Sequence, residues 1–145
     1  MESIELVNHY LDLSTEILKN ISFDNSHLDY QNRLIFCIST EKSLDAFADE
    51  VYKKENLHIN NFDEKNFSSK FESIKNNYPS NQIINNENKG DGIICLFKDL
   101  FAKEIDQENS NLITTSNENN LKKFSLLLNR YKEWINFYRK IHDEC

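Results

Sequence analysis

The sequence predicts an all-α fold: a single domain over residues 1–145, built as a bundle of about five helices with long polar loops. Apolar residues recur every three or four positions over long stretches, which is the spacing of amphipathic helices. Only two glycines and one proline occur, whereas sandwiches and barrels need many tight turns with positive φ angles. At 145 residues the chain has an ordinary single-domain length, so one core is sufficient.

The first two predicted helices fill the N-terminal third of the chain. The first runs from Ser3 to about Ile21 at helical apolar spacing. The second begins after Ser26, which forms a capping-type start signal with Asp29, and it ends near Lys54. The predicted core face of this second helix carries Tyr30, Leu34, Cys37, Leu44, Ala48 and Val51, with Phe47 and Tyr52 at its edges.

A shorter third helix and a loop are predicted in the middle of the chain. Asn61 and Glu64 have the spacing of a cap for this helix. The stretch 76–91 is rich in Asn and is predicted to be a long loop. The apolar face of the third helix carries Phe67, Phe71 and Ile74.

Two further helices complete the prediction. The fourth runs from Gly92 to about Asp106, and a second polar link covers residues 107–120. Thr115 and Glu118 form a capping box that would open the final helix. We expect that long helix to pack against the second one at the centre of the bundle. Its apolar row comprises Leu121, Phe124, Leu128, Tyr131, Ile135, Tyr138 and His142.

The charge balance favours some partners over others. Seventeen basic and 24 acidic residues give a formal net charge of −7. Because an acidic surface repels phosphate backbones, nucleic-acid binding is disfavoured and a basic protein partner is favoured.

Cysteine usage and the N-terminal residues predict a cytoplasmic protein without cofactors. The three cysteines are far apart and form no CxxC pair, so neither a disulfide framework nor a metal site is expected. Glu2 and Glu5 stand where a secretory signal would carry basic residues. No apolar run is long enough to predict a membrane span.

An acidic row lies along the second predicted helix. Glu41, Asp45 and Asp49 are each four residues apart, and like charges at that spacing destabilise a helix by roughly 0.2–0.5 kcal/mol per pair. A cation is therefore expected to face the row. If that cation belongs to a basic partner protein, the three carboxylates form a partner-binding site. The alternative is a solvated face relieved by lysines of the same helix or of a neighbouring one.

Polar residues on predicted apolar faces define a second candidate site. Glu41 and Arg33 border the core face of the second helix, and His142 continues the row of the final helix, so all three need partners. A pair of Glu41 with His142, with Arg139 nearby, would supply an orienting carboxylate, a general base and an anion-binding cation for RNA cleavage. The alternative is an internal salt bridge between packed helices.

One segment is similar to a known family. Residues 43–52, with the sequence SLDAFADEVY, followed by a final helix with Arg and His, resemble the helical HEPN domains. Many HEPN domains are RNases or toxin partners, so the resemblance implies a helical fold and a role for Arg139 and His142. Catalytic members separate their Arg and His by a longer interval than the two residues between Arg139 and His142.

These observations predict a non-catalytic protein-binding inhibitor. Its most concrete form is an immunity or antitoxin-like protein that neutralises a basic nuclease toxin through Glu41, Asp45 and Asp49. The alternative is a HEPN-like RNase, or its inactive relative, that uses His142, Arg139 and Glu41. A third possibility is a homodimer formed through apolar faces of the first or fourth predicted helix.

Overall fold

A computed structural model describes residues 2–105 and 117–143, and within these ranges the chain forms α-helices and no strand. The predicted all-α class is therefore confirmed. The helices are α1 (Ser3–Asn20), α2 (His27–Lys54), α3 (Phe67–Asn77), α4 (Gln82–Asn85), α5 (Ile93–Ile105) and α6 (Asn117–Asp143). A short 3-10 turn, Phe62–Glu64, precedes α3.

The antiparallel helices α1 and α2 pack through small polar side chains. Ser14 Oγ of α1 lies 2.7 Å from Ser39 Oγ of α2 and accepts a hydrogen bond from Thr40 Oγ1 at 2.9 Å. Further along, Ser43 Oγ donates to the backbone carbonyl of Val7 at 3.0 Å. Because these side chains are short and paired, the two backbones approach closely without leaving buried polar groups unsatisfied.

The start of α2 follows its predicted signal. Ser26 Oγ accepts a hydrogen bond from the backbone N–H of Asp29 at 3.1 Å, which confirms the predicted cap. The Asp29 carboxylate accepts instead from the backbone N–H groups of Phe23 at 2.7 Å and Asn25 at 3.1 Å. Both of these residues have positive φ angles, so the Asp29 carboxylate holds the α1–α2 link in a turned conformation.

The core face of α2 is rotated from the predicted one. Four predicted core residues, Cys37, Leu44, Ala48 and Val51, are buried. Phe36 and Phe47 are fully buried at the centre of the observed face, whereas Tyr30 and Leu34 are only half-buried and Glu41 is exposed. The rotation arises because the buried serines and threonine that face α1 belong to the core side of α2. An apolar pattern alone counts such residues as surface.

Helix α6 contacts α2 through large aromatic rings. Phe36 packs against Phe124 at 5.0 Å between ring centroids, and Ser43, seven residues later, lies 2.8 Å from the hydroxyl of Tyr131. Because the contacting residue numbers increase together along both helices, α2 and α6 run parallel. Farther along, Phe47 packs against Tyr131, Trp134 and Tyr138 at centroid distances of 6.2, 5.0 and 5.6 Å. The predicted central packing of these two helices is confirmed.

The predicted start of the third helix is wrong by several residues. Helix α3 is capped by Asn66, whose side chain accepts from the backbone N–H of Ser69 at 2.9 Å. Asn61 adopts a left-handed conformation with φ of 58° and leads into the 3-10 turn. Each asparagine directly precedes a helical turn, so the local pattern does not distinguish them.

The predicted loop over residues 76–91 contains the additional helix α4. Asn81 caps it by accepting from the backbone N–H of Ile84 at 3.2 Å. Ile84 is fully buried and Ile83 is partly buried against the core, so these two apolar side chains hold the short helix in place. The fold therefore has one more helix than the predicted five in the described ranges.

The two C-terminal helices differ little from the prediction where the structure describes them. Helix α5 begins one residue after the predicted Gly92. The predicted row of α6 is buried from Phe124 to Tyr138, but Leu121 is exposed. The predicted cap at Thr115 falls outside the described residues.

A tight junction connects α4 to α5. Glu87 accepts a hydrogen bond from the backbone N–H of Ile93 through its carboxylate at 2.9 Å and one from Ile94 through its carbonyl at 3.2 Å. The same carboxylate pairs with Arg130 of α6 at 3.3 Å. A Cβ atom on Gly92 would lie 2.3 Å from the Glu87 carbonyl oxygen, so this close approach requires glycine.

Replacing Gly92 by Ala is expected to lower the free energy of unfolding by about 1–3 kcal/mol, because backbone atoms must move to admit the methyl group. Gly90→Ala is the matched control. Nothing lies within 4 Å of a Cβ at Gly90, so its effect should stay within about 0.5 kcal/mol. Urea denaturation of both variants measures the difference, and equal stabilities would contradict the tight junction.

Candidate functional site

The cation that faces the predicted acidic row comes from the same chain. Lys70 of α3 is 2% exposed, and its Nζ lies 3.0 Å from Asp45 and 2.9 Å from Asp49. The ring of Phe62 covers this ammonium group, with its centroid 5.4 Å from Nζ. The structure therefore places a lysine of a neighbouring helix beside two of the three predicted partner-binding carboxylates.

Charge balance in this cluster stays negative. Burial raises the pKa of the Asp49 carboxyl against the lowering effect of its hydrogen bond to Lys70. Burial disfavours the charged form of Lys70, but hydrogen bonds to Asp49 and Asp45 outweigh burial and raise the Lys70 pKa. At neutral pH one ammonium group is thus shared by two carboxylates, so one negative charge is left at the surface.

Glu41, the third member of the row, is exposed and forms no hydrogen bond or ion pair with the described residues. It lines a groove of about 370 Å³ between α2 and the start of α3. Ile38, one turn earlier, is 53% exposed beside it. We call the surface formed by Ile38, Glu41, Asp45 and Phe67 the Glu41 surface; Lys42 and Lys65 also line this groove.

The predicted pair of Glu41 with His142 does not form. His142 Nε2 instead lies 2.7 Å from Oε1 of Glu55, at the end of α2. Glu41 is two residues before Ser43, so it projects about 200° away around the helix. Because Ser43 faces Tyr131 of α6, Glu41 faces away from α6 and cannot reach His142.

Arg139, the predicted anion-binding cation, is held by an internal carboxylate. Its Nε and one terminal nitrogen donate to the two oxygens of Glu50, at 3.1 and 2.8 Å. Its other terminal nitrogen donates to Asn8 Oδ1 of α1 at 2.8 Å. Glu50 is 2% exposed, so this bidentate pair neutralises a buried carboxylate and joins α1, α2 and α6.

Glu55 forms the second polar contact at this end of the bundle. Its Oε1 accepts a hydrogen bond from the Tyr138 hydroxyl at 3.0 Å, in addition to its contact with His142. Burial, together with the nearby Glu55 charge, raises the pKa of Tyr138, which keeps the hydroxyl a donor. His142 is partly exposed and its ring packs against Tyr138 at 4.4 Å between centroids.

At this end of the bundle, Arg139 is bonded to Glu50 and Asn8, and His142 and Tyr138 are bonded to Glu55. Each guanidinium nitrogen of Arg139 is already bonded, so binding a phosphate would require Arg139 to release Glu50 or Asn8. The sequence pattern does not indicate Glu50 and Glu55 as the carboxylate partners of Arg139 and His142. The signal that finds them is the parallel register of α2 and α6: Ser43 opposite Tyr131 places Glu50 near Arg139.

Arg33 lies between two carboxylates, although its Nε has no hydrogen-bond partner among the described residues. Its guanidinium lies 3.3 Å from Asp29 and 3.4 Å from Glu104 of α5, and all three side chains are buried. Burial raises the pKa of Glu104, against the lowering effect of Arg33. This triad ties the N-terminal half of α2 to α5.

In residues 2–105 and 117–143, no three His, Cys, Asp or Glu side chains are grouped to hold a metal ion. None of the described helices has the length and apolarity to cross a membrane. Comparisons with protein families, curated proteins and solved structures find no match. The HEPN resemblance therefore stays a prediction.

Replacing Lys70 by Met is expected to lower the free energy of unfolding by about 1–3 kcal/mol, because Asp45 and Asp49 lose their shared hydrogen-bond donor and repel each other. The double variant Lys70→Met/Asp49→Asn should recover part of the loss. Urea denaturation at neutral pH measures both. If the double variant were less stable than Lys70→Met, Asp49 would have a different stabilising contact.

Proposed function

We propose that this domain is a non-catalytic inhibitor that binds a basic protein partner through the Glu41 surface. The observation that carries the proposal is the pairing pattern of α2. Asp29, Asp45, Asp49 and Glu50 have internal cations, whereas Glu41 has no hydrogen-bond or ion-pair partner within the described chain and lies beside an exposed isoleucine.

The Glu41 surface combines two features of protein interfaces. Ile38 provides apolar area that a partner can bury. Glu41 and the Asp45–Asp49–Lys70 cluster provide carboxylates that can pair with the cations of a basic surface, beside Lys42 and Lys65 of the same groove. Complementary charge speeds association, and burial of Ile38 slows release.

The concrete form that we propose is an immunity or antitoxin-like protein that acts in the cytoplasm and covers a basic nuclease toxin. The formal net charge of −7 supports such a partner, because nuclease domains that bind phosphate backbones carry basic surfaces. Steric cover of a basic active-site surface needs no catalytic group on the inhibitor.

The hydrogen bonds that Arg139 makes within the chain favour a protein-binding role over RNA cleavage by a HEPN-like RNase. An anion-binding arginine must present free donors to phosphate, and the Arg139 nitrogens are bonded to Glu50 and Asn8. His142 is likewise paired with Glu55.

Glu41→Lys is expected to abolish capture of the partner without unfolding the domain. The tagged wild type should retain a basic protein from native-host lysate at low salt and release it at high salt. The Debye length falls from about 10 Å at 0.1 M to about 3 Å at 1 M ionic strength, which screens charge attraction. Quantitative mass spectrometry measures the retained protein.

Asp12→Lys on α1 is the matched charge-reversal control, because Asp12 is exposed and has no partner in the described ranges. This control should retain the same basic protein as the wild type. Equal retention by Glu41→Lys, or no basic protein retained at either salt concentration, would contradict the proposal.

A further inference from the structure

A cleft of about 500 Å³ lies between α4, the start of α5 and α6. We call it the Trp134 cleft. Its volume is in the range of about 300–1,000 Å³ that is typical of ligand sites. The residues on which its chemistry depends are Ile83, Glu87, Arg130, Glu133, Trp134 and Phe137.

The floor of the Trp134 cleft is held in place by hydrogen bonds. The Trp134 indole N–H donates to the backbone carbonyl of Ile83 at 2.9 Å, which joins α6 to α4. Glu87 accepts from the backbone N–H of Ile93 at 2.9 Å and pairs with Arg130 at 3.3 Å. The aromatic wall is therefore preorganised, which lowers the entropy lost on binding.

The mouth of the cleft carries an exposed aromatic ring and an exposed carboxylate. Phe137 is 55% exposed, although burying a phenylalanine is normally favourable. Glu133 is exposed and forms no hydrogen bond or ion pair with the described residues. Since Glu133 and Phe137 are four residues apart on α6, their side chains are neighbours on one side of the helix.

An aromatic face next to a carboxylate fits a cation. Arginine fits better than lysine, because its planar guanidinium stacks on a ring and donates to a carboxylate with the same group. Arg130 does not cancel the charge of the site, since its own charge is balanced by Glu87, which leaves Glu133 unbalanced. We propose that the Trp134 cleft binds an arginine side chain of a basic peptide segment, stacked on Phe137 and paired with Glu133.

This site is separate from the Glu41 surface. The Trp134 cleft is built by α4, α5 and α6, whereas the Glu41 surface is built by α2 and α3. The cleft can therefore bind its peptide whether or not the Glu41 surface binds a protein.

Intrinsic fluorescence gives a direct test, because Trp134 is the only tryptophan of the chain. The full chain is titrated with an acetylated, amidated Gly-Arg-Arg-Gly peptide, and Trp134 emission is followed. We expect a saturable change, with an apparent Kd that rises roughly two- to fivefold in Glu133→Gln and in Phe137→Ala. Both side chains are exposed, so both variants should keep the wild-type circular dichroism spectrum.

The controls separate the cleft from other sources of signal. A Gly-Glu-Glu-Gly peptide should give no saturable change. The Glu41→Lys variant should respond like the wild type, so failure of the Glu41 surface and failure of the cleft are distinguishable. The proposal is overturned by no saturable response to the arginine peptide, by an unchanged Kd in Glu133→Gln and Phe137→Ala, or by a saturable response to AMP but not to the peptide, which would indicate a nucleotide site.

Discussion

The buried ion pair between Glu50 and Arg139 is the contact on which the arrangement of the long helices depends. A carboxylate that is 2% exposed is stable only with a close cation, because its desolvation costs several kcal/mol. Arg139 meets this requirement with two donors, and a third reaches Asn8 of α1. Lys54 Nζ, 3.7 Å from the same carboxylate, is a more distant second cation. The pair therefore sets the position of α6 on α2, in the same parallel register that brings Ser43 to Tyr131.

Ion pairs specify which helix packs against each part of α2, whereas aromatic packing alone does not. The rings of several helices are similar in size and could exchange places at modest cost. Charges are less exchangeable: Arg33 pairs with Glu104 of α5, Lys70 of α3 pairs with Asp49, and Glu50 pairs with α6. Most carboxylates of α2 thus pair with cations of the same chain. This is why Glu41, which has no ion-pair partner among the described residues, is informative about an outside partner.

Local rules predicted much of the fold but little of the pairing. The bounds of α1 and α2 follow from apolar spacing and from the Ser26 cap, which act within a few residues. The partner of His142 depends on helix register and direction, so the local position of Glu41 on the predicted core face was misleading. The ion pairs of Lys70 were likewise not predictable from local sequence, because only the packing of α3 on α2 brings Lys70 to Asp45 and Asp49.

A double-mutant cycle on Glu50 and Arg139 measures the central interaction most directly. Glu50→Gln, Arg139→Met and the double variant are compared by urea denaturation. If the pair holds the bundle together, Arg139→Met lowers the free energy of unfolding by about 3–5 kcal/mol, and adding Glu50→Gln restores part of that loss. Strictly additive losses would contradict this role, and a stable Arg139→Met variant would indicate that Arg139 is free to serve another function.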